Sequence, residues 1–126
     1  MNTPMAGGKL ISVVDDDDSM RDALVALFRS IGYDTRGFAS AEAFLACDDL
    51  ERFSCTITDI QMPGMSGIEL KQHLDERHST MPVIMITARS DPELKERAIS
   101  VGAAYFLRKP FETAMLVDCL EKTLEG

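Results

Sequence analysis

Residues 12–20 read SVVDDDDSM, so four carboxylates, Asp15 to Asp18, follow directly on a β-branched apolar run. Adjacent carboxylates repel one another, and such a group persists where a cation or a helix N-terminus lies between its members and water. A fifth aspartate, Asp59, closes the run CTITD; Thr87 closes VIMIT, and Lys109 follows YFLR. Several carboxylates with one hydroxyl and one ammonium suit a hard divalent cation and an anionic group held against it. Whether they meet depends on the elements that carry them.

Short β-branched or apolar runs alternate with helical periods along the chain. Leu10 to Val14 reads as a strand and Ser19 to Ile31 as a helix, with Met20, Leu24, Leu27, Phe28 and Ile31 on one stripe and Gly32 closing it. Tyr33 to Phe38 is a second strand, followed by a helix over about Ala41 to Cys47 with Ser40 as N-cap. Cys55 to Thr58 is a third strand, ending in Asp59. Ser66 with Glu69 three positions later is a capping box for a helix to about Arg77. Val83 to Thr87 is a buried fourth strand. Asp91 and Pro92 give the N-cap and first position of a helix ending at Gly102. Tyr105 to Leu107 is a fifth strand, and Thr113 to Leu124 a last helix with Met115, Leu116, Cys119 and Leu120 facing inward. Strand-then-helix units in this series imply one doubly wound α/β domain, a parallel sheet with helices on both faces. Open α/β sheets bind ligands at the carboxyl ends of their strands. Asp15, Asp16, Asp59, Thr87 and Lys109 all fall at such ends.

Composition narrows the partners. The 126 residues are 45% hydrophobic, enough for one buried core and too little for two. No apolar run approaches the ~20 residues needed to cross a bilayer, and MNTPMAGG lacks a signal peptide's basic start and apolar core, so a cytoplasmic protein is expected. Cys47, Cys55 and Cys119 show no CxxC spacing and read as small core residues in a reducing compartment. A formal charge of -8 argues against direct nucleic-acid binding, which needs clustered Lys and Arg.

VVDDDD at the first strand, TDIQMPGMSG at the third, ITA at the fourth and KPF after the fifth make the chain resemble the receiver domains of two-component response regulators, the CheY-like superfamily. The resemblance covers about Lys9 to Leu124, and the order and spacing of the motifs, more than any one of them, make it specific. Among these domains it looks most like the receivers of nitrogen-fixation-type transcription regulators, which precede a helix-turn-helix domain. The resemblance implies a flavodoxin/CheY-like five-stranded parallel sheet of order 2-1-3-4-5 with five helices, over residues 9–126 behind a flexible N-terminus at 1–8. It implies Asp59 as phosphoacceptor, Asp15 and Asp16 as metal-binding acids with the backbone carbonyl of Gln61 as a further ligand, Thr87 as the family's hydroxyl, Lys109 as its lysine, and Phe106 as its aromatic switch. Lys109-Pro110 is expected to be cis. The partners implied are a sensor histidine kinase or phosphotransfer protein, with a phosphorylation-dependent homodimer compatible with the pattern. The output would be a docking partner or a DNA-binding domain absent from this chain. Such a domain signals and is not itself an enzyme beyond slow self-dephosphorylation.

Each role has a chemical reason. A carboxylate attacking a phosphoryl group brings two anions together, and Mg²⁺, which takes hard oxygen ligands and bridges carboxylate and phosphoryl oxygens, offsets the repulsion. Asp16 and Asp59 would bind it directly and Asp15 through water. Lys109 and Thr87 would take the remaining phosphoryl oxygens. Arg89, two residues beyond Thr87, would tune the phosphoryl lifetime. Of the other two acids, Asp18 is expected to cap the first helix and Asp17 to face solvent near the helix dipole. Met62 and Met65 read as packing residues, Pro63, Gly64 and Gly67 as a tight loop, and His73 and His78 as surface residues.

Three other readings compete. An aspartyl-nucleophile phosphohydrolase of the haloacid-dehalogenase type could use Asp15 and Asp17, yet leaves Asp59 without a role. A receiver-shaped interaction module that is never phosphorylated would be signalled by loss of Asp59, Thr87 or Lys109. A flavodoxin-like FMN carrier lacks its hydroxyl-rich phosphate loop.

Overall fold

Local signals start most of the helices, and burial decides which faces turn inward. The computed structural model describes residues 9–125, so the N-terminal segment expected to be flexible, residues 1–8, and Gly126 lie outside the described residues. Strands β1 (Leu10–Val14), β2 (Asp34–Phe38), β3 (Phe53–Asp59), β4 (Val83–Thr87) and β5 (Tyr105–Arg108) alternate with helices α1 (Asp18–Ser30), α2 (Ala41–Leu45), α3 (Gly67–Glu76), α4 (Pro92–Ser100) and α5 (Thr113–Glu125). All strand pairs are parallel, in the order β2-β1-β3-β4-β5. This is the expected doubly wound sheet.

Strand residues alternate between two cores. Ile11, Val13, Cys55, Ile57, Ile84 and Ile86 pack with Leu24 and Phe28 of α1 and Leu116, Cys119 and Leu120 of α5. Val14, Val83 and Met85 pack on the opposite face with Phe44 of α2, Ile68, Leu70 and Leu74 of α3, and Leu94 and Ala98 of α4. Each large apolar side chain so buried is worth roughly 1.5–3 kcal/mol. The central strands lie between both layers, so they need apolar residues on both sides.

Helix starts follow the sequence signals at Ser40, whose side chain accepts from the Ala43 N–H, at the Ser66–Glu69 capping box, and at Asp91 before Pro92. The first helix differs. Asp17, not Asp18, is its N-cap and accepts from the Met20 N–H, while Asp18 is the first helical residue. The Asp17 N–H donates to Asp15 Oδ1 at 2.9 Å, which turns the chain one residue early. On that helix Leu24 and Phe28 are buried and Met20, Leu27 and Ile31 only partly so. Gly32, just past the cap, takes φ 104°, the left-handed conformation that favours glycine.

Three further expectations are corrected. β3 begins at Phe53, ahead of Cys55, because the Phe53 ring packs edge-on against Phe38 and Phe44; a short 3₁₀ turn, Leu50–Arg52, precedes it. Met115 is 49% exposed and the inner face of α5 is made by Leu116, Cys119 and Leu120, a residue further round the helix. Cys47 is half-buried and donates to Asp49 Oδ1 at 2.8 Å, so only Cys55 and Cys119 are core cysteines. Burial pushes the Cys55 thiol up to about 12, which makes it inert.

Candidate functional site

Parallel register brings the polar residues together at one edge. Val14 pairs with Thr58 and Asp59 with Ile86, so Asp15 and Asp59, each one step further on, are neighbours across β1 and β3. Thr87 pairs with Arg108, and the Lys109 N–H donates to the Thr87 carbonyl at 2.7 Å, which brings the lysine over the ends of the strands. Lys109-Pro110 is cis.

Lys109 Nζ lies 3.5 Å from Asp15 Oδ2 and 3.4 Å from Asp59 Oδ2. The other oxygen of Asp59 accepts from the Gln61 N–H at 3.3 Å. Asp15 and Asp59 are buried and Asp16 is exposed; one carboxylate oxygen from each of the three lies within 4.8 Å of the others. One ammonium thus serves two buried carboxylates. Burial raises the Asp59 carboxyl above its ordinary range; Lys109 opposes this and Asp15 reinforces it. A three-oxygen, all-carboxylate donor set with more negative charge than its single lysine offsets suits a hard divalent cation such as Mg²⁺. The three acids singled out in the sequence are the three that converge.

The floor beneath Asp59 is tight. A Cβ on Gly67 would lie 2.5 Å from the Asp59 carbonyl oxygen and 3.1 Å from the Ile60 Cα. Gly67 is therefore the first residue of α3, packed under the acid, rather than only a loop former. Met62 and Met65 are half-buried against the core face that carries α2 to α4, as expected. Gly64 takes φ 77°, and the adjacent Met65 N–H donates to Glu42 Oε2 at 3.1 Å, so α2 holds the loop that follows β3. Glu42 was not legible in the sequence, because its partner is 23 positions away.

The other side of the edge is looser. Thr87 is fully buried, and its Oγ1 accepts from the Arg89 N–H at 3.1 Å, a contact that leaves the hydroxyl proton uncommitted. Arg89 Nη1 donates to the Gln61 side-chain oxygen at 3.0 Å, linking the loops after β3 and β4. Gln61 entered the sequence argument only for its backbone; the side-chain link is new. Phe106 is half-buried, packs against the core on the α2–α4 face, and borders a cavity of about 240 Å³ with Arg89, Pro92 and Lys95. Tyr105 packs on the opposite face. His73 and His78 are exposed on and just after α3.

The family model for the response regulator receiver domain matches residues 11–121. The transcriptional regulatory protein FixJ of Azorhizobium caulinodans is 41% identical over 115 residues, covering 90% of this chain and 54% of its own length. TdiR, a transcriptional regulatory protein of Thauera aromatica, is 36% identical over 122 residues, or 97% of this chain and 54% of its own. The chain spans about half the length of these curated relatives. The crystal structure of FixJ-N superposes with a TM-score of 0.86 at 33% identity, covering 94% of both chains. No helix among the described residues is long and apolar enough to cross a membrane.

Proposed function

The chain belongs to the response regulator receiver family of two-component signal transduction, and from that premise we propose that Asp59 accepts a phosphoryl group from a histidine kinase or phosphotransfer protein. An Asp59 carboxylate oxygen attacks phosphorus; the new P–O bond forms as the P–N bond breaks and its electron pair leaves with the histidine nitrogen. Mg²⁺, held by Asp16, Asp59 and the Gln61 carbonyl, with Asp15 acting through water, would supply the charge that lets two anions meet. Lys109 donates to one phosphoryl oxygen and the free Thr87 hydroxyl to another. The observation that carries this reading is the single lysine placed 3.5 and 3.4 Å from two buried carboxylates.

The response is a switch at Thr87 and Phe106 that alters the face made by α4 and β5. That face would act on a docking partner, a second copy of the chain, or a DNA-binding domain of the kind that transcriptional regulators possess. A cytoplasmic location accords with this role. The phosphohydrolase reading loses its general acid, since the Asp17 carboxylate is turned to the Met20 N–H at 3.2 Å. Incubation with acetyl phosphate and Mg²⁺ should give an acid-stable, base-labile 1:1 phosphoryl adduct that peptide mapping assigns to Asp59. An adduct on any other residue overturns the proposal.

A further inference from the structure

We propose that Arg21 is a positioning residue for the acidic cation site, holding the Asp15–Asp16 peptide through the Asp15 carbonyl, and that Gly37 keeps open the space its stem needs. The inference rests on reading the acidic edge as a cation site. Arg21 lies in the first turn of α1, where side chains lean back toward the helix N-terminus. Its Nη1 donates to the Asp15 carbonyl at 2.9 Å and its Nη2 to Asp18 Oδ1 at 2.6 Å. Its side chain is only 17% exposed, well below the usual state of an arginine.

The other groups of Asp15 are also held. Its N–H donates to the Phe38 carbonyl at 3.1 Å, Oδ1 accepts from the Asp17 N–H, and Oδ2 faces Lys109. Among the described residues, Arg21 is the group that fixes the remaining one, the carbonyl. That carbonyl shares a peptide plane with the Asp16 N–H, so it sets the direction from which the exposed Asp16 carboxylate reaches the other two. Loss of Arg21 would leave this plane to solvent.

Gly37 gives independent support. It lies in β2, an edge strand, and its φ is not in the left-handed region. Glycine weakens a strand, so space is the reason for it there. A Cβ at Gly37 would lie 3.0 Å from Arg21 Cγ and 3.1 Å from its Cδ. An alanine would require the arginine stem to give by a few tenths of an ångström, enough to disturb a guanidinium held at 2.9 Å from the Asp15 carbonyl.

Electrostatics and positioning predict opposite signs. As a bare positive charge Arg21 would repel Mg²⁺, and its removal would tighten metal binding; but it is paired with Asp18, so its field at the site is largely cancelled. As a positioning group its removal loosens binding, by the roughly tenfold seen when outer-shell partners of metal ligands are lost. Calorimetric titration with Mg²⁺ should therefore show R21M, which keeps the stem, weakened about tenfold, and R21K weakened by less. G37A should be weakened too, and R21M/G37A should be no weaker than R21M alone, because both act through one group. Metal-free melting measured alongside separates a merely structural role, which would lower the midpoint and leave the metal affinity unchanged. Wild-type affinity in R21M and G37A, with D16N weakened, overturns the proposal alone. Wild-type affinity in D16N as well overturns the cation-site reading with it. Should R21M fail to fold, R21K and G37A carry the same test.

Discussion

Asp15, Asp59 and Lys109 form one half of the site edge and are fixed on every side, whereas Thr87, Arg89 and Phe106 form the other half and leave room to move. In the first half the lysine lies against both acids, backbone N–H groups of Asp17 and Gln61 hold the carboxylates, and Gly67 packs beneath Asp59. In the second, the Thr87 hydroxyl accepts one backbone N–H, Arg89 reaches sideways to Gln61, and Phe106 lies half-buried beside a cavity. Phosphoryl transfer needs groups set before the reaction, since reorganising them during it would add to the barrier. A response needs a second arrangement within a few kcal/mol of the first. The two halves divide these demands.

The largest expected effect falls in the fixed half. Asp59→Asn keeps the shape of the side chain and removes the proposed nucleophile, so labelling by kinase or acetyl phosphate should vanish. Labelling at the wild-type rate would place the acceptor elsewhere. Next comes the metal. Asp16→Asn should weaken Mg²⁺ binding about 10- to 100-fold, whereas Asp17→Asn should change it less than about twofold, because asparagine caps a helix as well as aspartate does. Equal losses in the two variants would mean that the acids share the ion and that the cap assignment is wrong.

The loose half should show a smaller effect, on response rather than on labelling. Burying more of the Phe106 ring after the Thr87 hydroxyl moves to a phosphoryl group would bias the α4–β5 face by ~1–2 kcal/mol, or about 5- to 30-fold in a population. Thr87→Ala and Phe106→Ala should both accept phosphate and lose phosphorylation-dependent self-association, measured by sedimentation. A variant that is phosphorylated and still associates normally removes its residue from the relay.

The fixed half was also the more legible in the sequence. Asp15, Asp59 and Lys109 lie at the ends of strands whose apolar runs declare themselves, and parallel register then aligns those ends whatever the loops do; in the looser half the same rule reaches Thr87 but not the Arg89–Gln61 link. The Ser40, Ser66 and Asp91 caps were legible because cap and partner are two or three residues apart. Choosing Asp17 over Asp18 was not, because four identical side chains offer no local distinction and Asp15's own contacts decide it. Arg21 over Gly37 and Glu42 under the Met65 N–H were hidden for a related reason. A long side chain's direction depends on a surface built by distant residues.

The smallest effect tests whether the fixed half is strained by its own charge when no metal is present. The Asp59 carboxyl is held above its ordinary value first by burial, with Asp15 adding to that and Lys109 opposing. A raised folded-state value means that the native protein keeps this proton to higher pH than the unfolded chain does. Stability from this group is therefore fully present below the unfolded carboxyl's value and is lost as pH rises through the folded one. Asp59→Asn carries no such ionisation. In chelator, its melting temperature relative to wild type should climb as the pH rises above the ordinary carboxyl range and level off once Asp59 is ionised in the folded protein. Saturating Mg²⁺ should reverse much of the difference, since it binds the wild-type carboxylate and stabilises that fold by mass action. Parallel pH profiles for the two proteins in chelator would show that Lys109 already balances Asp59, and the contrast between an acidic, fixed half and a loose one without carboxylates would then be a contrast in packing alone.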